Sequence, residues 1–312
     1  MDPLSSLLSG IRAEGSVVTS AVLSTPWSIR FVDEAVLTMV TVLRGGGVLH
    51  LADGDNRRVR PGETALVRGP APFLLADRAD VADDPATSYE VACFLCEDED
   101  HYVAPSPHAD ATTLVVGVYR TVGHRSNRVL DTLPTVLIVQ EEPGVCDWME
   151  SVACDAANHQ PGSQALMDRM LDWALVCTLR TWFERVGAEA PAWYRGLADP
   201  VVGPALDAVH RRPTERWTVA RMAAEAGVSR ALFARRFREV VGRPPLTYVT
   251  EHRLDEASDL LVSTDLGVAQ IAKTVGYADS FGFSAAFKRV RGSSPTAFRR
   301  ASSSTSRGFN DR

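Results

Sequence analysis

The chain has 312 residues, enough for two domains, and its 45% hydrophobic and 23% charged content is that of an ordinary soluble protein, which excludes collagen-like and low-complexity classes. The net charge of −6 is unevenly placed: residues from 201 onward hold 18 Lys+Arg and 11 Asp+Glu (+7), leaving 15 and 28 before them (−13). Five cysteines, an odd number, argue against a disulfide framework and for a reducing cytoplasm.

Leu4, Leu7, Leu8 and Ile11 share a helical face and predict a short helix over Leu4 to Ala13. Residues 1–23 contain acids and no long apolar run, so no signal peptide is expected. From Ser16 the texture becomes short β-rich runs, at 17–23, 27–32, 37–43, 48–51, 63–67, 73–75 and 89–95. Gly45 to Gly47, Asp53 to Asn56, Pro61-Gly62 and Pro70 to Pro72 separate them as turns. Such an order predicts a sandwich or small barrel. The run from Arg44 through three glycines to His50, then Pro61-Gly62-Glu63-Thr64-Ala65-Leu66, resembles a cupin barrel. More specifically it is similar to the N-terminal sensing domain of many AraC-type regulators, over Met1 to about Val103.

Cupin enzymes hold a metal with a His-x-His pair, a glutamate and a later histidine. Here His50 stands alone, and the next histidine is His101, so neither a metal nor another cofactor is expected. His101, His108 and His124 sit in loop-like sequence and read as surface residues. Gly45 to Gly47 is not followed by a helix, which argues for a strand connection over a phosphate cradle. Cys93 and Cys96 have Cys-x-x-Cys spacing, but residues three apart in a strand point to opposite faces. Glu97 to Asp100 would raise the neighbouring thiol pKa. A structural role is the default for both, with redox sensing as the sharper alternative. No Ser/His/Asp or Cys/His set has a recognisable setting, so catalysis is not expected.

Thr113 to Val118 reads as a further strand, and Leu130 to Gln140 as an apolar, buried run. Helices are predicted over 146–157 and 163–186. In the second, Leu166, Met170, Trp173, Ala174, Cys177 and Thr181 form a stripe that Leu171, Leu175, Leu179 and Trp182 widen. That helix fits burial in its own domain or pairing with a second chain; the four charges between Leu166 and Phe183 rule out a membrane span. Residues 191–202, with Pro191, Gly196 and Pro200, read as a linker.

Thr218 to Phe237 then reads as two short helices and a tight turn. Thr218 and Ser229 are N-caps, and Gly227 ends the first helix. Leu232, Phe233 and Phe237 are expected inward; Arg230, Ala231, Ala234, Arg235 and Arg238 are left outward. Taken alone, the stretch also fits a solvated hairpin. However, Val219 to Gly227 recurs as Val268 to Gly276, and Phe233 and Phe237 recur as Phe283 and Phe287 with one extra turn residue. Pro244 to Val262 supplies a helical connector, about 27 Å for about 18 residues. That is comparable, with its flanking turns, with a duplex turn of about 34 Å.

These two units, with Gly242 to Tyr248, Gly276 to Lys288 and Gly292 to Arg299, resemble the DNA-binding domain of AraC/XylS-type transcription regulators over about 203–301. The resemblance places Ser229, Arg230, Ala231, Ala234, Arg235 and Arg238 at DNA from the first unit. From the second it places Asp279, Ser280, Phe281, Gly282, Ser284 and Ala285. Ala285 departs from the arginine common there, which leaves the second unit poor in donors. The expected fold is α+β and multidomain. Residues 1–190 form a cupin-like β-barrel (about 1–103) with flanking helices (145–186), 203–301 an all-α domain with two helix-turn-helix motifs, and 302–312 a disordered tail. The expected partners are promoter DNA, a small-molecule effector or stress signal, a second copy of the chain, and RNA polymerase if the protein activates; no membrane partner is expected. The alternatives are a cupin-type enzyme fused to a DNA-binding module, and a constitutive architectural DNA binder.

Overall fold

The computed structural model of the chain describes residues 4, 8, 11–13, 21–23, 25–32, 35–79, 88–90, 112–121, 130–142, 144–146, 148–149, 151 and 161–307. One compact unit comprises Ile11–Thr121 and Leu130–Arg185; a second is built on Val186–Arg312.

The first unit holds two sheets. β1 (Ile11–Ala13), β10 (Thr112–Thr121), β4 (Leu37–Arg44), β7 (Glu63–Arg68) and β11 (Val136–Gln140) run side by side, with β2 (Ala21–Leu23) also on β10. The other sheet has the order β6 (Asn56–Val59), β5 (Gly47–Leu51), β8 (Phe73–Ala76), β3 (Ser28–Phe31), β9 (Ser88–Glu90). Alternation sorts the side chains. Val40, Val42, Leu114, Val116 and Val118 face the core, where they meet Ile29, Leu49 and Leu75 of the other sheet. The opposite face of the six-stranded sheet is also buried, under α1 (Ser163–Val186). Tyr119 Oη donates to the Leu171 carbonyl at 2.7 Å, and Thr178 Oγ1 to Glu141 Oε1 at 2.6 Å. This explains why β4 is apolar on both faces.

Several expectations change here. The closed barrel is replaced, among the described residues, by two facing sheets, because the chain switches sheets between β4 and β5. Gly45 makes that switch at φ +79°, and a Cβ on it would lie 2.9 Å from Thr112 Cα. Leu4 and Leu8 are helical and buried, but Ile11 begins a strand paired with Thr121, so the helix does not reach Ala13. Asn56, read as part of a turn, starts edge strand β6, whose arginines suit an unpaired edge. Residues 144–146, 148–149 and 151 are helical, as the reading over 146–157 expected for the part described. On α1, Leu166 and Trp173 are exposed, whereas Met167, Met170, Leu171, Ala174, Leu175 and Leu179 are buried. Cys93, Cys96, His101, His108 and His124 lie outside the described residues; Cys146 and Cys177 are half-buried.

The second unit is helical: α2 (Ala192–Ala198), α3 (Gly203–Arg211), α4 (Val219–Glu225), α5 (Arg230–Val241), α6 (Pro245–Ser263), α7 (Val268–Thr274), α8 (Ser280–Arg291) and α9 (Pro295–Arg307). Two cores form. Leu206, Val209, Met222, Phe233, Phe237 and Val249 make one; Leu254, Leu261, Ile271, Phe283 and Phe287 make the other. Helix α6 contributes Val249 to the first and Leu254, Ala257 and Leu261 to the second. The stretch read as a linker contains α2. Its Leu197 packs on the first core, and a Cβ at Gly196 would lie 2.9 Å from Leu206 Cδ1. Residues 302–307, read as disordered tail, continue helix α9.

Candidate nucleic-acid interface

Helices α4 and α5 are joined by residues 226–229, and α7 and α8 by 275–279, so the second connection has the one extra residue that the repeat spacing implied. Thr218 Oγ1 accepts from Arg221 N at 3.1 Å, Ser229 Oγ from Leu232 N at 3.3 Å, and Asp279 Oδ1 from Gly282 N at 2.7 Å. These caps satisfy amide donors that the first helical turn leaves without carbonyl partners. Gly227 adopts φ +66°, the left-handed conformation a tight turn after α4 requires. Ser229 and Asp279, assigned to DNA on the sequence, cap the two helices and remain exposed.

Phe233 and Phe237 anchor α5, and Phe283 and Phe287 anchor α8; all four are fully buried. This fixes what faces out. On α5, Arg230, Ala231, Arg235 and Arg238 are exposed and Ala234 is half-buried. Leu232, expected inward, is 39% exposed and joins that face. On α8, Gly282 and Ala285 are exposed, Ser280 and Ser284 are half-buried, and Phe281 is 88% exposed. It is the most exposed of the large apolar side chains among the described residues.

The arginines divide into two sets. Arg212 pairs with Glu225 at 2.5 Å, Arg236 with Asp199 at 2.7 Å, and Arg221, Arg243 and Arg291 with Glu215, Glu251 and Asp255. Arg253 is the most engaged, and the sequence pattern alone does not single it out. From α6 its guanidinium donates to the carbonyls of Pro213 (2.8 Å), Glu215 (2.5 Å) and Gly276 (3.2 Å), so one side chain ties the turn before α4 to the turn after α7. Burial pushes its pKa below the ordinary arginine value. Outward lie Arg230, Arg235 and Arg238. Among the described residues Arg230 and Arg238 have no acidic partner, and Arg235 has only Glu239 at 3.8 Å. Lys288 and Arg289 are exposed on α8. The two inter-helix turns and the outward cations therefore fit an anionic polymer. Among the described residues no cluster of His, Cys, Asp and Glu fits a metal ion, and no helix is long and apolar enough to cross a membrane.

The cupin family profile matches residues 2–184, and a helix-turn-helix domain profile matches residues 222–301. An AraC-like transcription regulator of Streptomyces antibioticus is 31% identical over 306 residues, covering 96% of this chain and 99% of its own. The HTH-type transcriptional regulator AlkR of Acinetobacter baylyi is 26% identical, covering 97% and 100%. Among solved structures, the DNA-binding domain of AdpA in complex with a target DNA is 34% identical, covers 31% of this chain and 91% of its own, and superposes with a TM-score of 0.30.

Proposed function

Because this chain belongs to the AraC-like transcription regulators, we propose that α5 and α8 are the recognition helices of two helix-turn-helix motifs that enter successive major-groove faces of promoter DNA. The observation that carries this reading is the division of the arginines: those that hold the unit together are paired, and Arg230, Arg235 and Arg238 point outward from one helix. Guanidinium forks reach phosphate oxygens or guanine edges, and Ala231 and Ala234 permit close approach. Arg235 and Arg238 act from α5; Phe281, beside Ser280 and Ser284, contacts a thymine methyl from α8. The N-terminal sandwich senses a small molecule or stress signal. Two chains pair, and effector binding shifts the relative placement of their DNA-binding units. RNA polymerase is a further partner if the protein activates, and the chain acts in the cytoplasm.

The test is selection of bound fragments from a genomic library by the purified chain, followed by titration of the selected site and of random DNA. Arg235→Ala is expected to weaken specific binding by about 1–3 kcal/mol and to relax preference at one base position. Equal loss on both DNAs would show that Arg235 touches only phosphate, and failure to enrich any sequence would overturn the reading.

A further inference from the structure

Resting on the reading that the N-terminal sandwich is the sensor, we propose that its effector is a small carboxylic or phosphoric acid that also carries a hydroxyl or ammonium donor. The site is the end of the sandwich where β4 passes to β5. A cleft of about 550 Å³ opens there, within the range of small-molecule sites. Arg58, Arg60, Arg78, Asp77, Gly46 and Thr112 are among its lining residues.

Three guanidinium groups and one carboxylate meet at this cleft, in a part of the chain where 28 acids outnumber 15 bases. A local inversion of sign concentrates anions where the surroundings repel them. Two of the arginines, Arg58 and Arg60, are available for this. Arg60 has Glu63 at 3.7 Å and stays 71% exposed, and Arg58 has no acidic partner among the described residues. Planar guanidinium forks grip carboxylate and phosphate oxygens in pairs.

Asp77 supplies the second half of the specificity. Its side chain is 7% exposed, and neither carboxylate oxygen has a hydrogen-bond partner. Arg78 Nε lies 3.8 Å from Oδ1, near enough for charge attraction and too far for a hydrogen bond. A buried carboxylate without a donor is the group that gains most from a ligand hydroxyl or ammonium. Space for the ligand comes from the glycine run. A Cβ at Gly46 would meet only the Val59 carbonyl, at 3.6 Å, so backbone rather than side chain forms that wall.

The experiment titrates the full chain with gluconate, glycerol 3-phosphate, acetate and glycerol at millimolar concentration, following melting temperature and calorimetric heat. Gluconate separates a carboxylic from a phosphoric acid, acetate lacks the donor, and glycerol lacks the charge. One of the two hydroxylated acids is expected to bind and to raise the melting temperature, acetate to bind more weakly, and glycerol not to bind. The double variant Arg58→Gln with Arg60→Gln, at exposed positions, is expected to lose roughly tenfold or more in affinity. Asp77→Ala is expected to erase the preference for the hydroxylated acid over acetate. No binding of either hydroxylated acid, or unchanged affinity in the double variant, overturns the proposal. Affinity for the selected promoter site is measured in parallel. Acid binding without a change in that affinity leaves the site standing and overturns the sensor reading. A response to cell extract that persists in the double variant leaves the sensor and overturns the site.

Discussion

The guanidinium of Arg253 sits among three backbone carbonyls, and that of Arg235 is 72% exposed on its helix. The first therefore belongs to stability, and the second is left free of the core for the recognition role proposed above. Arg253→Ala leaves the carbonyls of Pro213, Glu215 and Gly276 without their donor. We expect a loss of about 2–3 kcal/mol in urea unfolding, since hydrogen bonds to a charged group are among the stronger ones. Arg253→Lys is expected to recover only part of it, because an ammonium cannot reproduce the planar fork. Asp199 carries the pH dependence of the same unit. Burial alone would raise its pKa. The Val202 amide, the Arg236 guanidinium and the Val201 amide together outweigh that and hold it below the usual carboxylate range. A folded pKa below the unfolded one means that Asp199 adds stability above the unfolded carboxylate pKa. That stability is lost as pH falls through the folded value. Urea midpoints measured from neutral to acid pH are expected to fall in that window, and Asp199→Asn is expected to flatten the fall.

Helices α5 and α8 share caps, buried phenylalanines and length, but their outer faces differ in chemistry. Helix α5 offers guanidinium groups along its length; the outer face of α8 carries Phe281, with exposed Gly282 and Ala285 beside it, and only toward its C-terminal end the cations Lys288 and Arg289. The first therefore suits hydrogen bonding, and the second suits apolar contact. With uracil in place of thymine at the contacted position, binding is expected to weaken by about 0.8 kcal/mol, the value of one buried methyl-sized group. In Phe281→Ala the two DNAs are expected to bind alike. A persistent difference would place the methyl contact elsewhere. Arg238→Ala is expected to lower the salt slope by about 1 if its partner is a phosphate. The repeat made both helix pairs legible from the sequence, because capping and phenylalanine spacing are local. Leu232 is apolar and adjoins Phe233, which makes it look inward, but at 3.6 residues per turn it lies about 100° round the helix from Phe233, and the packing of Phe233 and Phe237 leaves it outside.

At the scale of the molecule, the boundary of the helical unit lies before α2. Leu197 packs on its first core, and Asp199 accepts from the Val201 and Val202 amides of the turn before α3 while holding Arg236 of α5. A fragment from residue 187 onward is expected to fold and bind DNA. One that begins at residue 203 loses Leu197 and the Asp199 contacts, and is expected to be less stable by about 2–5 kcal/mol. Thermal unfolding of the two fragments checks this; equal stability would return residues 191–202 to the role of a linker. Pro191, Gly196 and Pro200 suggested a flexible connection, but Gly196 is small because Leu206 and Val241 lie against it.

By itself the sequence determined the helical repeat, the charge division and most of the strands, since each depends on residues near one another in the chain. It also carried the family resemblance. Only the tertiary structure decided that the strands form two facing sheets, that α2 packs into the helical core, that Arg253 joins the two halves of that unit, and that Asp77 lies without a hydrogen-bond donor beside three arginines. Each of these depends on partners tens of residues apart, whose meeting is set by packing that no local pattern encodes.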